Sequence, residues 1–116
     1  MLFIQYPKCS TCQKARKWLD AHNITYTERH IAEDNPAYDE LKEWHGKSGL
    51  PLKKFFNTSG LLYKEMQLKD KLPVMSEEEQ LKLLATNGML VKRPLIVDDN
   101  KVLTGFKEVE WEEKLL

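Results

Sequence analysis

The spacing of apolar residues in the N-terminal part of the chain predicts a strand, a helix and a second strand. Leu2 to Tyr6 alternates between apolar and polar positions, and so does Ile24 to Ile31, as β-strands do. Between them, four residues recur at the spacing of a single helix face: Ala15, Trp18, Leu19 and His22. A turn at 7–11 precedes this helix, so the chain is predicted to open with a β-α-β unit.

The middle of the chain is predicted to be helical. Asn35-Pro36 has the composition of a helix start, with Pro at the first helical position, and Gly46 is expected to end that helix. Its apolar stripe comprises Tyr38, Leu41, Trp44 and His45. A short helix at 51–56, a turn at 57–60 and a further helical segment at 61–72 are expected to follow.

The C-terminal part is predicted to add one helix, a hairpin and a final helix. Ser76 and Glu79 have capping-box spacing at the start of a helix that Asn87-Gly88 ends. Apolar residues at 90–91 and 95–97 predict a strand on either side of Lys92-Arg93-Pro94, with a hairpin partner at 101–105. The tail from 107 to 116 is amphipathic, with three residues available for burial: Val109, Trp111 and Leu115.

Length and charge restrict the class of protein. The 116 residues suffice for one domain, residues 1–116, because two halves could not each bury a core. Lys plus Arg total 18 and Asp plus Glu total 18, so the net charge is zero, and we expect no basic surface and no direct nucleic-acid binding. No apolar run has the length of a membrane span or signal peptide, and we expect a cytoplasmic monomer.

The two cysteines, Cys9 and Cys12, lie three positions apart at the predicted start of the first helix. A secreted disulfide scaffold carries more cysteines, and a bridge across two residues closes too small a loop to stabilise a fold. The helix N-terminus favours a thiolate at Cys9, and Lys8, Lys14 and Arg16 add positive charge nearby. The spacing therefore predicts an exposed attacking thiol at Cys9 and a recessed resolving thiol at Cys12.

Two other interpretations of the cysteine pair stay open at this point. One is a zinc site that adds two of His22, His30 and His45, although no second CxxC or HxxxH completes a four-ligand pattern. The other is a pair of unreactive core cysteines. We expect no metal and no bound cofactor.

Arg93-Pro94 is the second candidate for chemistry. Pro94 interrupts an apolar strand, where it removes a ladder donor unless it lies at a bend or an edge. A cis bond facing the cysteines explains such a proline, and Arg93 then directs its guanidinium at whatever reaches Cys9. The alternative is a surface arginine beside an edge proline.

The complete element order is β-α-β, a helical insertion, then α-β-β-α, with the CxxC at the first strand-to-helix turn. That order is the thioredoxin pattern with an insertion. We therefore predict an α/β, thioredoxin-like fold in which helices flank a mixed sheet.

The sequence resembles the arsenate reductase (ArsC)-like family, and within it the Spx/MgsR/YusI branch. The similarity rests on Tyr6–Ala15, Lys92–Val97 and Gly105–Lys107, and it covers essentially the whole chain. It implies a thioredoxin-like fold with a helical insertion, and catalytic roles for Cys9, Cys12 and Arg93. The substrate site that we expect comprises Lys8, Ser10, Thr11, Arg93, Pro94 and Lys107.

The resemblance implies three alternative functions. The first is a small thiol-dependent reductase whose electron donor is glutathione or a thioredoxin- or glutaredoxin-type protein. The second is a redox-switched transcriptional regulator that binds the C-terminal domain of the RNA polymerase α subunit. The third is arsenate reduction, which in this family uses three arginines. Only Arg93 matches, and the region of Lys53-Lys54 and the position of Lys107 offer lysines, which lack the bidentate fork.

Overall fold

A mixed four-stranded sheet organises the computed structural model, which describes residues 1–116. The strands are β1 (Leu2–Gln5), β2 (Thr27–His30), β3 (Leu95–Val97) and β4 (Val102–Thr104). Their spatial order is β2-β1-β3-β4, with β1 parallel to β2, and with β3 antiparallel to both β1 and β4. The predicted α/β, thioredoxin-like fold with a mixed sheet is confirmed.

Six α-helices flank this sheet. They are α1 (Ser10–Ala21), α2 (Tyr38–Ser48), α3 (Leu61–Glu65), α4 (Leu68–Lys71), α5 (Glu77–Thr86) and α6 (Glu108–Leu115). Short 3₁₀ turns occupy Leu52–Phe55, Leu72–Val74 and Gly88–Leu90. None of the helices has the length and apolar character needed to cross a bilayer.

Two hydrophobic clusters cover the two faces of the sheet. Neighbouring residues on one strand point to opposite faces, so Phe3 joins one cluster and Ile4 the other. The Phe3 cluster packs α1 and α6 against the sheet through Trp18, Leu19 and Trp111. The larger Ile4 cluster buries the residues of α2, α5 and the insertion. The arrangement is a three-layer sandwich with the sheet in the middle.

The boundaries of α2 differ from those predicted. The helix begins at Tyr38 rather than at Pro36, because the Glu40 carboxylate accepts the Ala37 N–H at 3.0 Å and places the start there. Gly46 lies inside the helix. Gly49, at φ 66°, takes the left-handed conformation that ends it.

The predicted helix at 61–72 is divided in two, because Gln67 adopts a left-handed conformation at φ 54° between α3 and α4.

The segment before Arg93 does not form the strand that its apolar residues at 90–91 predict. Val91 forms an isolated bridge with Phe56, flanked by the bonds Asn57 N–H to Leu90 O and Lys92 N–H to Phe55 O, both 2.8 Å. The insertion therefore pairs directly with the segment that leads to Arg93.

The predicted start of α5 is confirmed, whereas the second strand and two apolar-face assignments differ from the prediction. The capping box at Ser76 and Glu79 is present, and its two reciprocal hydrogen bonds measure 3.0 and 3.1 Å. The second strand is shorter than predicted and begins at Thr27. Two residues assigned to apolar faces, His22 and Val109, are exposed. Both lie at helix ends, since His22 is the C-cap residue of α1 and Val109 is the second residue of α6.

Candidate thiol site

The two cysteines lie at the junction of β1 and α1. Cys9 is the N-cap residue, with extended backbone (φ −87°, ψ 122°), and its N–H donates to the Tyr6 carbonyl at 3.0 Å. Cys12 lies in the first helical turn and is fully buried, whereas Cys9 is partly exposed. Both thiols are free. One sulfur is therefore open to a reaction partner, and the second lies behind it.

The surroundings of the two thiols separate their acidities. Partial burial raises the pKa of Cys9, but hydrogen bonds from the Cys12 backbone and thiol, from Arg93 and from the Thr11 backbone favour the thiolate more strongly. The net pKa of Cys9 is lowered. Burial, helped by the neighbouring Cys9, raises the pKa of Cys12 to about 12, despite a backbone hydrogen bond from Tyr6 and the charge of Arg93.

Arg93 supplies a guanidinium next to Cys9. Its Cζ lies 5.2 Å from the centroid of the Tyr6 ring, and its Nε and Nη1 atoms are buried without a hydrogen-bond partner. The Arg93–Pro94 bond is cis, as predicted from the sequence. Buried donors without acceptors cost free energy, so the guanidinium is arranged to receive an acceptor such as a thiolate or an oxyanion.

A cleft of about 1080 Å³ opens in front of Cys9 and Arg93. One carboxylate, that of Glu110, lines it. Eight cationic side chains also line it, contributed by the helices, the insertion and the hairpin: Lys47, Lys53, Lys54, Lys92, Arg93, Lys101, Lys107 and Lys114. The ion pairs of the molecule all involve other residues, so these eight charges have no acidic partner within 4.0 Å.

This cleft corrects one expectation. The zero net charge predicted that no basic surface exists, but the fold collects cations on one side and leaves carboxylates elsewhere. Net charge is a sum over the whole chain and contains no information about position.

The structure brings together some of the predicted site residues and not others. Thr11, Arg93 and Lys107 line the cleft with Cys9, whereas Lys8 and Ser10 are exposed outside its lining and Pro94 is buried. Lys53 and Lys54 also line the cleft, because their segment pairs with the strand-like segment before Arg93.

Four of the lining cations are not predicted from the sequence: Lys47, Lys92, Lys101 and Lys114. Among them, Lys92 alone has a recognisable signal in the sequence, because it adjoins the Arg93-Pro94 motif. Tyr6, whose ring packs against Arg93, is not predicted as a site residue either.

The histidines of the zinc interpretation form no metal-binding group with the cysteines. His22 Nδ1 pairs with the Trp18 carbonyl at 2.8 Å, and His30 Nδ1 accepts the N–H groups of Ala32 and Glu33. His45 packs edge-on against Phe55. No group of three or more His, Cys, Asp or Glu side chains is placed so that it could hold a metal ion.

Comparison with known proteins agrees with this geometry. YusI of Bacillus subtilis, described as an uncharacterized protein, is 58% identical over 113 residues, which cover 97% of this chain and 96% of YusI. Regulatory protein MgsR of the same organism is 31% identical over 110 residues, which cover 95% of this chain and 86% of MgsR. The crystal structure of an ArsC family related protein from Bacteroides fragilis superposes with a TM-score of 0.94 at 65% identity, covering 97% of this chain and 94% of that one.

The family assignment rests on the length of the match as well as on these relatives. The sequence model of the ArsC family matches residues 4–114, from β1 to α6, and so includes both cysteines and Arg93. The chain therefore belongs to the ArsC family.

Proposed function

We propose that this protein is a small thiol-dependent reductase that performs reversible thiol–disulfide exchange at Cys9 and Cys12. The observation that supports it is the contrast between the two thiols: Cys9 is partly exposed with a lowered pKa, and Cys12 is buried behind it with a pKa of about 12. This is the asymmetry that an attacking and a resolving thiol require.

The first step is attack by the Cys9 thiolate on one sulfur of a substrate disulfide. A bond forms between Cys9 Sγ and that sulfur, the substrate S–S bond breaks, and the departing thiolate takes a proton from water. Arg93 favours the Cys9 thiolate before the attack, because its guanidinium helps to lower the pKa of Cys9.

The second step is attack by Cys12 on Cys9 Sγ. Once Cys9 is in a mixed disulfide, it no longer carries the charge that raises the pKa of Cys12, so Cys12 loses its proton to solvent more readily. The new Cys9–Cys12 bond releases the second substrate thiolate. The substrate gains two electrons, and a low-molecular-weight thiol or a thioredoxin- or glutaredoxin-type protein returns two electrons to the pair.

A turnover assay with a small neutral disulfide tests this function. Bis(2-hydroxyethyl) disulfide is supplied with glutathione or a thioredoxin system, and the wild type is compared with Cys9→Ser and Cys12→Ser. We expect catalytic reduction by the wild type and none by Cys9→Ser. A wild-type rate no higher than that of the same concentration of free cysteine contradicts the proposal.

A dithiol of this kind suits the reducing cytoplasm, where we propose that the protein acts as a monomer.

A second candidate is a redox-switched regulator that binds the C-terminal domain of the RNA polymerase α subunit. It is favoured by the 31% identity to a regulatory protein over nearly the whole chain. Capture of the α subunit by oxidised and by reduced protein tests it. Binding in one redox state alone supports a switch, and equal or absent binding contradicts it.

Arsenate reduction is the least favoured function. The cleft contains one guanidinium, that of Arg93, and its other cations are lysines. Lysine attracts an oxyanion as a point charge but does not fix its orientation through two parallel hydrogen bonds.

A further inference from the structure

We propose that the cleft binds an extended, acidic peptide segment of a protein substrate and presents an oxidised cysteine of that segment to Cys9. This inference rests on the proposed reductase function and specifies the substrate class.

The size of the cleft exceeds what a simple oxyanion needs. Small-molecule pockets occupy about 300–1000 Å³, and this cleft measures about 1080 Å³. The thiol end is formed by Cys9, Thr11 and Arg93, and the lining continues past them to the end of α6 at Lys114. A ligand that fills it contacts many groups beyond the reacting sulfur.

The charge of the cleft calls for several negative groups on the ligand. Two of the lysines are held by neutral backbone carbonyls: Lys47 Nζ donates to Asp98 O at 3.1 Å, and Lys101 Nζ donates to Lys114 O at 2.7 Å. Such bonds fix the ammonium groups in position without cancelling their charge. Eight cations with a single carboxylate, that of Glu110, among them repel one another, and a polyanionic ligand relieves that repulsion.

The sheet edge favours a polypeptide over other polyanions. Strand β4 pairs with β3 on one side and has no strand on the other. Residues 100–106, which include all of β4, line the cleft. An edge strand offers N–H and C=O groups to an extended chain, a complementarity that phosphate polymers lack. Lys101 precedes β4 and Lys107 follows it, and cations beside a strand edge favour an acidic strand over a neutral one.

The first experiment measures binding without chemistry. Fluorescently labelled, cysteine-free peptides of equal length and of acidic, neutral or basic composition are titrated with the reduced protein, alongside a single-stranded DNA oligonucleotide. We expect the acidic peptide to bind at least about tenfold more tightly than the neutral one, and we expect this affinity ratio to decrease as salt is added. Equal affinities for the acidic and neutral peptides overturn the proposal, and so does tighter binding of the oligonucleotide than of the acidic peptide.

The second experiment measures the reaction. Each peptide carries one cysteine as a mixed disulfide with 2-mercaptoethanol. The loss of the 2-mercaptoethanol group from the peptide is followed by mass spectrometry after an acid quench. Lys53→Glu/Lys54→Glu, which changes the cleft, is compared with Lys17→Glu/Lys42→Glu, which makes the same charge change at exposed positions outside it. We expect the acidic-to-neutral rate ratio to fall about tenfold in the first variant and to stay within about twofold of the wild type in the second.

The two proposals fail in different ways. If the wild type does not reduce bis(2-hydroxyethyl) disulfide, the reductase function is wrong, whatever the peptides do. If the wild type reduces that neutral disulfide but the acidic-to-neutral rate ratio is the same in the two charge variants, the acidic-peptide inference is wrong and the reductase function stands.

Discussion

The guanidinium of Arg93 lies over the ring of Tyr6, with 5.2 Å between Arg93 Cζ and the ring centroid. The two residues come from opposite ends of the chain, from the turn after β1 and from the loop before β3. Two nitrogens of this guanidinium, Nε and Nη1, are buried without a hydrogen-bond partner, and the Arg93 side chain helps to lower the pKa of Cys9. A cation over an aromatic face is stabilised by about 0.5–2 kcal/mol, which is enough to restrict the guanidinium to this position.

Loss of the Arg93 guanidinium should weaken anion binding at the thiol site. In Arg93→Ala we expect sulfate to protect Cys9 from alkylation at least about tenfold less effectively, because a charge-assisted donor pair is gone. Tyr6→Leu should give a smaller loss, since the guanidinium remains but is less restricted. The measurement is the Cys9 alkylation rate against sulfate concentration. Equal protection in Arg93→Ala and the wild type would show that Arg93 does not contact the anion.

The two cysteines should differ in reactivity with pH. In Cys12→Ser we expect alkylation of Cys9 to reach half its maximal rate at a lower pH than alkylation of a cysteine in an unstructured peptide, because the pKa of Cys9 is lowered, and we expect a mixed disulfide to persist on Cys9. In Cys9→Ser, alkylation of Cys12 should stay slow up to high pH, because burial raises its pKa. Intact mass after timed quenching reports both. Faster alkylation of Cys12 than of Cys9 at neutral pH would reverse the assignment.

Arsenate should be a poor substrate. With one arginine among the cleft cations, we expect arsenate reduction with glutathione and a glutaredoxin to stay near the rate of Cys9→Ser. The assay measures arsenite formed, with a three-arginine arsenate reductase as the positive control. A rate comparable to that control would mean that lysines at 53, 54 and 107 replace arginine.

Arg29 should contribute to stability through Glu40. Its Nη1 and Nη2 donate to the two Glu40 oxygens at 2.7 and 2.9 Å, which joins β2 to α2, and the Arg29 side chain is only 14% exposed. Arg29→Met should lower the free energy of unfolding by about 2 kcal/mol at pH 7, measured by urea titration. Arg16→Met breaks the more exposed pair with Glu28 and should cost less than about 1 kcal/mol.

The same ion pair predicts a pH dependence. The hydrogen bond from Arg29 lowers the pKa of Glu40 against the opposing effect of burial. A carboxyl whose folded-state pKa is depressed stabilises the fold above its unfolded pKa of about 4.3, and that contribution is lost as pH falls through the folded-state value. The stability difference between the wild type and Arg29→Met should therefore narrow at low pH. A constant difference from pH 7 to pH 3 would mean that the pair does not titrate with folding.

Gly88 should not tolerate a side chain. A Cβ there would lie 1.8 Å from the Ile31 carbonyl oxygen, so Gly88→Ala must displace backbone. We expect a loss of at least about 3 kcal/mol in the free energy of unfolding. Gly46→Ala is the matched control, because a Cβ at Gly46 meets nothing within 4 Å and alanine favours the helix by about 1 kcal/mol. Similar effects of the two substitutions would contradict the close approach at Gly88.

Some element boundaries could be predicted and others could not, for physical reasons. The Ser76 cap was predictable because both of its hydrogen bonds form within four residues of chain. The end of α2 was not, since Gly46 and Gly49 look alike in sequence, and only the second reaches positive φ. The apolar neighbours of Val91 predict a strand, but the partner of Val91 is Phe56 in the insertion, which no local pattern specifies.

The sequence by itself determined the strand–turn–helix that carries Cys9 and Cys12, because alternation, helix periodicity and the CxxC spacing are all local properties. Only the tertiary structure decided the basic cleft, since its cations are spread between positions 47 and 114 and come together when the insertion, the hairpin and α6 pack around one end of the sheet. The pairing of Tyr6 with Arg93 has the same origin. Contacts between residues distant in the chain depend on how layers pack, and that information is not contained in the spacing of neighbours.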